Sequence, residues 1–221
     1  MLDKYKTVLK ETQQQIVHKK SKFLCSLIEV KSEDEALEYI QSIKKKYYDA
    51  NHNCFAYIIG LNEQSIERFN DDKEPSGTAG KPMLEVLKGA GLKNVVAVVT
   101  RYFGGVLLGT GGLIKAYTEA IKTCLEEANI YESALCEKVH LEIDYNLLPK
   151  VEYLLHTSNQ IIQDTLYSEK VIVKLFLDHS LSEKIKNDII ELTSGQCHIV
   201  SEGYRYVSTV NEKLLIVNNL T

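Results

Sequence analysis

The residues of this sequence that could do chemistry sit in two glycine-bearing loops. The first, DDKEPSGTAGK (71–81), sets Asp71, Asp72 and Glu74 ahead of a Pro-Ser-Gly turn and then Thr78, Gly80 and Lys81 at a helix start. The second begins with Arg101 and Tyr102 at a strand end, runs through Gly104, Gly105, Gly109, Gly111 and Gly112, and has Lys115 just beyond. Five glycines in nine residues describe a backbone that takes positive φ or lets something approach closely. Backbone amides at a helix N-terminus attract anions, and Lys81, Arg101 and Lys115 add positive charge. These features suit a cradle for phosphate or a nucleic-acid backbone. The structural alternative pairs Arg101 with Asp71, Asp72 or Glu74 and packs the loops on each other.

Other chemistries fit less well. GTGG lacks the Gly-Lys-Thr or Gly-Lys-Ser of a phosphate-binding P-loop and does not match G-x-G-x-x-G, which argues against ATPase and NAD readings. Asp71, Asp72 and Glu74 could ligate magnesium, but sites built only from adjacent loop acids are uncommon. His52 and Cys54 lie two apart at a strand start, on one face, yet no third residue or oxyanion hole accompanies them. They read as structural. The remaining histidines share no ligand spacing, so no catalytic residue, metal site or cofactor is expected. Of the tyrosines, Tyr102 stands beside Arg101 and is the candidate for base stacking.

The elements that must position these loops can be traced along the chain. FLCSLIEV (23–30) reads as a strand, and Ser32 with Glu35 forms a capping box for a helix with an apolar face at Ala36, Leu37, Ile40, Ile43 and Tyr47. CFAYIIGL (54–61) reads as a strand, paired with Ser65–Phe69 across a turn at Asn62 and Glu63. Pro82 opens a helix ended by Gly89 and Gly91. VVAVVT (95–100) is a central strand that the two loops bracket, and 113–129 is an amphipathic helix. Ligands favour the carboxyl ends of strands in parallel α/β sheets, which points to these loops. From 138 onward the pattern predicts β-α-β-β-α-β, the ferredoxin-like order. A boundary between domains 1–135 and 136–221 is expected near Asn129 to Glu137. VNEKLLIVNNLT reads as a tail or an edge strand.

Bulk composition limits the partners. The 221 residues are 44% hydrophobic and 25% charged, ordinary for a globular protein with a real core. No apolar run approaches the roughly 18 residues of a membrane span. The polar, mixed-charge N-terminus does not read as a signal peptide. The five cysteines are scattered and never spaced as CxxC, which fits reduced thiols and a cytoplasmic location. Net charge is −4, with 18 basic against 18 acidic residues up to 135 and 8 against 12 after it. Nucleic-acid binding draws on clustered Lys and Arg, so it would need a local patch here.

DDKEPSGTAGKPML (71–84) and TRYFGGVLLGTGGLIKAY (100–117), with His52, Cys54, Ala56 and Tyr57, resemble the paired signature of the YigZ/IMPACT family, in its bacterial two-domain branch. Lys73 stands where that family usually carries glycine, and Leu107 where many members carry lysine. The resemblance implies an α+β fold with an N-terminal domain like the second domain of a small-subunit ribosomal protein. It implies a ferredoxin-like C-terminal domain similar to the last domain of elongation factor G. Both point to RNA or the ribosome by fold analogy. The eukaryotic branch is linked to control of translation initiation through a protein partner. Some relatives carry a proline-dipeptidase label, but this sequence lacks the ligand set of a dinuclear peptidase.

Three functions fit the sequence. The first is a non-enzymatic translation-associated regulator that binds RNA or a ribosomal component through the paired loops. The second is an enzyme acting on a phosphorylated small molecule or nucleotide with the loop carboxylates. The third is a protein-interaction module in which the acidic second domain docks a basic partner.

Overall fold

The β-branched run at 95–100 is the middle of a sheet, as its composition predicts. In the computed structural model, which describes residues 2–61, 65–210 and 213–217, the chain forms two compact units. One comprises Tyr5–Glu132, the other Leu2–Lys4 with Ser133 onward. Both are α+β, each with an antiparallel sheet, and the described residues hold five α-helices.

The first unit contains β1 (Lys4–Val8), β2 (Thr12–His18), β3 (Ser21–Glu29), α1 (Glu33–Lys46), β4 (His52–Ile59), β5 (Ile66–Asn70), α2 (Gly80–Gly89), β6 (Val95–Tyr102) and α3 (Gly109–Glu127). Its sheet has the order β2-β3-β6-β4-β5. Val95, Ala97 and Val99 point to one face and pack with Met83 and Leu87 of α2 and Ala116, Tyr117 and Ile121 of α3. Val96 and Val98 point to the other face and meet Ala36, Ile40 and Ile43 of α1. Burial on both faces is why β6 carries no alternating polar residues.

The capping box at α1 is present: Glu35 N donates to Ser32 Oγ at 3.2 Å, while the Glu35 carboxylate accepts from Lys31 N at 2.7 Å. Leu37 lies on the exposed side of α1. α2 starts at Gly80, two residues before Pro82, and ends where Gly91 takes φ 69° and Leu92 N bonds to Leu87 O. The expected turn at Asn62 and Glu63 lies outside the described residues.

One expectation needs correction. The sheet is antiparallel, so the rule for carboxyl ends of parallel strands does not locate a site here. What gathers the loops is that β6 runs antiparallel to its neighbours. The 71–79 and 103–108 loops, the turn at Lys19 and Lys20, and the 47–51 connection therefore emerge at one end. The polar N-terminal stretch contains strands β1 and β2. β1 is tied down by Thr7 Oγ1 bonding to Asn94 O and by Leu9 N bonding to Asn129 O. Residues 130–137 are strand, part of a long β7.

The second unit continues β7 (Ile130–Ile143) with α4 (Leu148–Thr157), β8 (Ile161–Tyr167), β9 (Val171–Asp178), α5 (Ser182–Leu192), β10 (Cys197–Val210) and β11 (Lys213–Val217). The strand order is β11-β10-β7-β9-β8. α4 and α5 place Val151, Leu155, Ile185 and Ile189 on Val139, Leu141, Val173 and Leu175. The C-terminal segment is an edge strand over 213–217.

Candidate functional site

The first-loop carboxylates turn inward, each to a different task. Asp71 Oδ1 accepts from Ala79 N at 3.0 Å and Gly80 N at 2.8 Å, and Oδ2 accepts from Gly77 N at 2.8 Å. It therefore caps α2, where its charge also suits the helix dipole. Asp72 accepts from Asn53 N at 2.6 Å and meets Lys44 Nζ at 3.3 Å. Asp72 and Lys73 have φ of 42° and 71°, a left-handed backbone that favours glycine. Thr78 Oγ1 donates to Pro75 O at 2.6 Å.

Glu74 is buried and binds Arg101, itself only 5% exposed, with Nη1 2.5 Å from Oε1. This is one of the pairings open to Arg101 in the sequence. The Tyr117 hydroxyl donates to the same Oε1 at 2.9 Å, and His52 Nε2 lies 3.7 Å away. His52 Nδ1 lies 2.9 Å from the Asp72 carbonyl, which only accepts, so Nδ1 carries a proton and donates it to that carbonyl. Cys54 Sγ has the Asp71 carbonyl at 3.0 Å and the Tyr117 hydroxyl at 3.3 Å. Burial pushes the Cys54 thiol well above its usual range, which favours the neutral thiol. The Arg101 guanidinium sits 5.4 Å from the Phe23 ring centre and 5.8 Å from that of Phe103.

Above this pair lies a cavity of about 490 Å³. His52, Glu74 and Arg101 line it, with Lys73 and Pro75 from the first loop. Phe103, Leu107, Gly109 and Thr110 come from the second. Gly109 takes φ 70° as α3 begins, and no side chain caps that helix end. Gly104 allows the second loop to touch the β2–β3 turn: a Cβ there would lie 2.0 Å from the Lys20 carbonyl carbon. Gly105, at φ 82°, and Gly111 have open space around them, while a Cβ on Gly112 would press on Leu108.

The remaining candidates lie elsewhere. Tyr102 alternates to the opposite face from Arg101 and donates to Asp49 at 2.9 Å. Lys115 is exposed on α3 and lines none of these cavities. Lys81 lines a separate groove of about 770 Å³ between α2 and α3. That groove is larger, but its Lys81 and Lys122 are balanced by Glu85 and Glu126.

Sequence reading named Tyr102 but missed the lysines and Tyr47 beside it. A second cavity, of about 290 Å³, is lined by Gln15, Lys20, Lys22, Tyr47, Tyr102 and Phe103. Lys46 Nζ lies 5.1 Å from the Tyr47 ring centre. Phe103 lines both cavities and is 46% exposed. The string HKKSK was the available signal, but its aromatic partners are distant in sequence. Among the described residues no group of three or more His, Cys, Asp or Glu could hold a metal ion. No helix there is long and apolar enough to cross a membrane.

Comparison with known proteins extends these loops to a family. Residues 19–125 match the Impact N-terminal domain, and 141–196 match a domain of unknown function, DUF1949. The IMPACT family member YvyE of Bacillus subtilis is 44% identical over 207 residues, covering 94% of this chain and 95% of that protein. The chain belongs to the IMPACT family. Its two-domain architecture is that of YvyE and of YigZ from Escherichia coli. YigZ is 32% identical, over 83% of this chain and 90% of that one. A solved structure described as a hypothetical protein superposes with a TM-score of 0.59 at 29% identity, covering 90% of this chain and 98% of that chain.

Proposed function

We propose that this IMPACT family member is a non-enzymatic, translation-associated factor that binds RNA, free or within a ribosomal component. The observation that carries this reading is the groove of Lys20, Lys22, Tyr47, Tyr102 and Phe103. Cations that track a phosphate backbone beside aromatic rings that stack bases are the recurring design of single-strand binders. The groove supplies the local patch that the overall charge of −4 withholds. The β-α-β-β-α-β order of the second unit, with strand order β10-β7-β9-β8, supports the ferredoxin-like assignment and its likeness to an elongation-factor domain. The buried Glu74–Arg101 pair serves as scaffold: it ties the first loop to β6 and holds Phe103 in place.

Fluorescence anisotropy with an eight-nucleotide single-stranded RNA tests the reading. Lys20→Gln/Lys22→Gln is expected to weaken binding about tenfold at low salt, because two phosphate contacts are lost. Lys115→Gln, outside the groove, leaves it unchanged. Equal affinity of the double variant and the parent chain contradicts the proposal.

A further inference from the structure

We infer that an RNA strand held in the Tyr102 groove continues across the sheet, over Lys22 of β3, to a second base subsite at Gln15 and Val17 of β2. The inference deepens the RNA reading and rests on it. Strand register carries it. Lys22 pairs with Tyr102 on one side and with Val17 on the other, so these three side chains form one row on one face. With strands about 4.8 Å apart, the row spans about 10 Å between the backbones of β6 and β2. Ile16 and Phe23 pack into the core on the opposite face, which turns Val17 outward, where it is 62% exposed. Gln15, two residues before Val17 on that outward face, already lines the groove. Val17 offers aliphatic surface to the face of a base, and the Gln15 amide can both donate to and accept from its edge.

The rest of this face is closed to a phosphate backbone. α1 joins an apolar cluster with β4 and β6 that reaches β3 only at Ile28. The Tyr39 hydroxyl extends from α1 to Glu11, just ahead of β2, and donates to it at 2.8 Å. Near it Glu29, Glu35 and Glu38 line an acidic hollow of about 370 Å³, which repels phosphate. An RNA leaving Tyr102 along the direction of β3 runs toward those carboxylates. One crossing the sheet meets Lys22 and the turn at Lys19 and Lys20 that joins β2 to β3.

The test adds a cation at each of the two exits in the full chain and follows anisotropy of the eight-nucleotide RNA over a range of salt. Val17→Lys supplies one further phosphate contact and is expected to steepen the salt slope by about 0.7 and to tighten binding at low salt. Val17 is exposed, so the melting temperature of this variant is expected to match the parent's. Gln13→Lys, on the same face of β2 but toward Glu11, is expected to leave the slope unchanged. Gln15→Ala is expected to weaken binding about threefold with no change of slope, because its amide meets a base and not a phosphate. A steeper slope in Gln13→Lys alone places the RNA along β3 and overturns the inference. An equal change of slope in both lysine variants, or in neither, overturns it as well, and so does unchanged affinity in Gln15→Ala. Under any of those outcomes, a loss of binding in Lys20→Gln/Lys22→Gln leaves the RNA reading intact. If the parent chain binds no RNA, the reading and the inference fall together.

Discussion

Each unit of this chain buries one glutamate against a cation and a hydroxyl, and the two are used differently. In the second unit Glu137 of β7 accepts from Ser182 Oγ, and Lys186 Nζ lies 3.1 Å away, both from α5. That cluster fastens a helix to a strand, and none of the cavities described borders it. In the first unit Glu74 joins a loop to β6 through Arg101 and to α3 through Tyr117, and Glu74 and Arg101 also line a cavity. Buried charge costs desolvation wherever it occurs. In one unit it secures an internal joint, and in the other it lines a cavity.

Breaking the first cluster should cost most. Arg101→Met leaves the Glu74 carboxylate buried without its cation, and urea unfolding of the full chain is expected to show a loss of about 3–5 kcal/mol. Arg101→Met with Glu74→Leu removes both charges and should recover much of that loss. A double variant no more stable than Arg101→Met would contradict the pairing. Next comes Glu137→Gln, which weakens charged hydrogen bonds and should cost about 1–3 kcal/mol. Burial raises the Glu137 carboxyl, but hydrogen bonds from serines and Lys186 outweigh it, so the net shift is downward. A depressed folded value means this stability is present above the ordinary carboxylate range and is lost as pH falls through the lowered value. Glu137→Gln should therefore flatten the acid limb of the stability profile, and an unchanged limb would exclude that role. Asp71→Ala removes the carboxylate that caps α2 and should cost about 1–2 kcal/mol, read as a lower denaturation midpoint with unchanged slope. Smallest is Lys73→Gly, which relieves a left-handed residue at the expense of chain entropy and should stay within about 1 kcal/mol of the parent.

The two regions also differ in how much could be read from sequence. The capping box at Ser32 and Glu35, the central strand and the β-α-β-β-α-β order were legible because each depends on local spacing. Strands β1 and β2 were not: TQQQIVH has no apolar alternation, and as an edge strand it gains its order from pairing with β3. The antiparallel course of β6 was also invisible, since orientation is set by neighbours from elsewhere in the chain. At the site, the Arg101–Glu74 pair was one of several open to sequence. The inward turn of Asp71 and Asp72 depends on amides that only the folded loop presents. Lys20 and Lys22 gain a role only because the sheet brings Tyr47 and Tyr102 beside them.

The salt dependence of RNA binding tests the central claim most directly. For a single strand, the logarithm of affinity falls with the logarithm of salt by about 0.7 for each phosphate neutralised. Lys20→Gln/Lys22→Gln should therefore reduce the slope measured on the eight-nucleotide RNA by about 1.4. A slope identical in the parent and the double variant would mean that the groove beside Tyr102 and Phe103 is not where RNA lies.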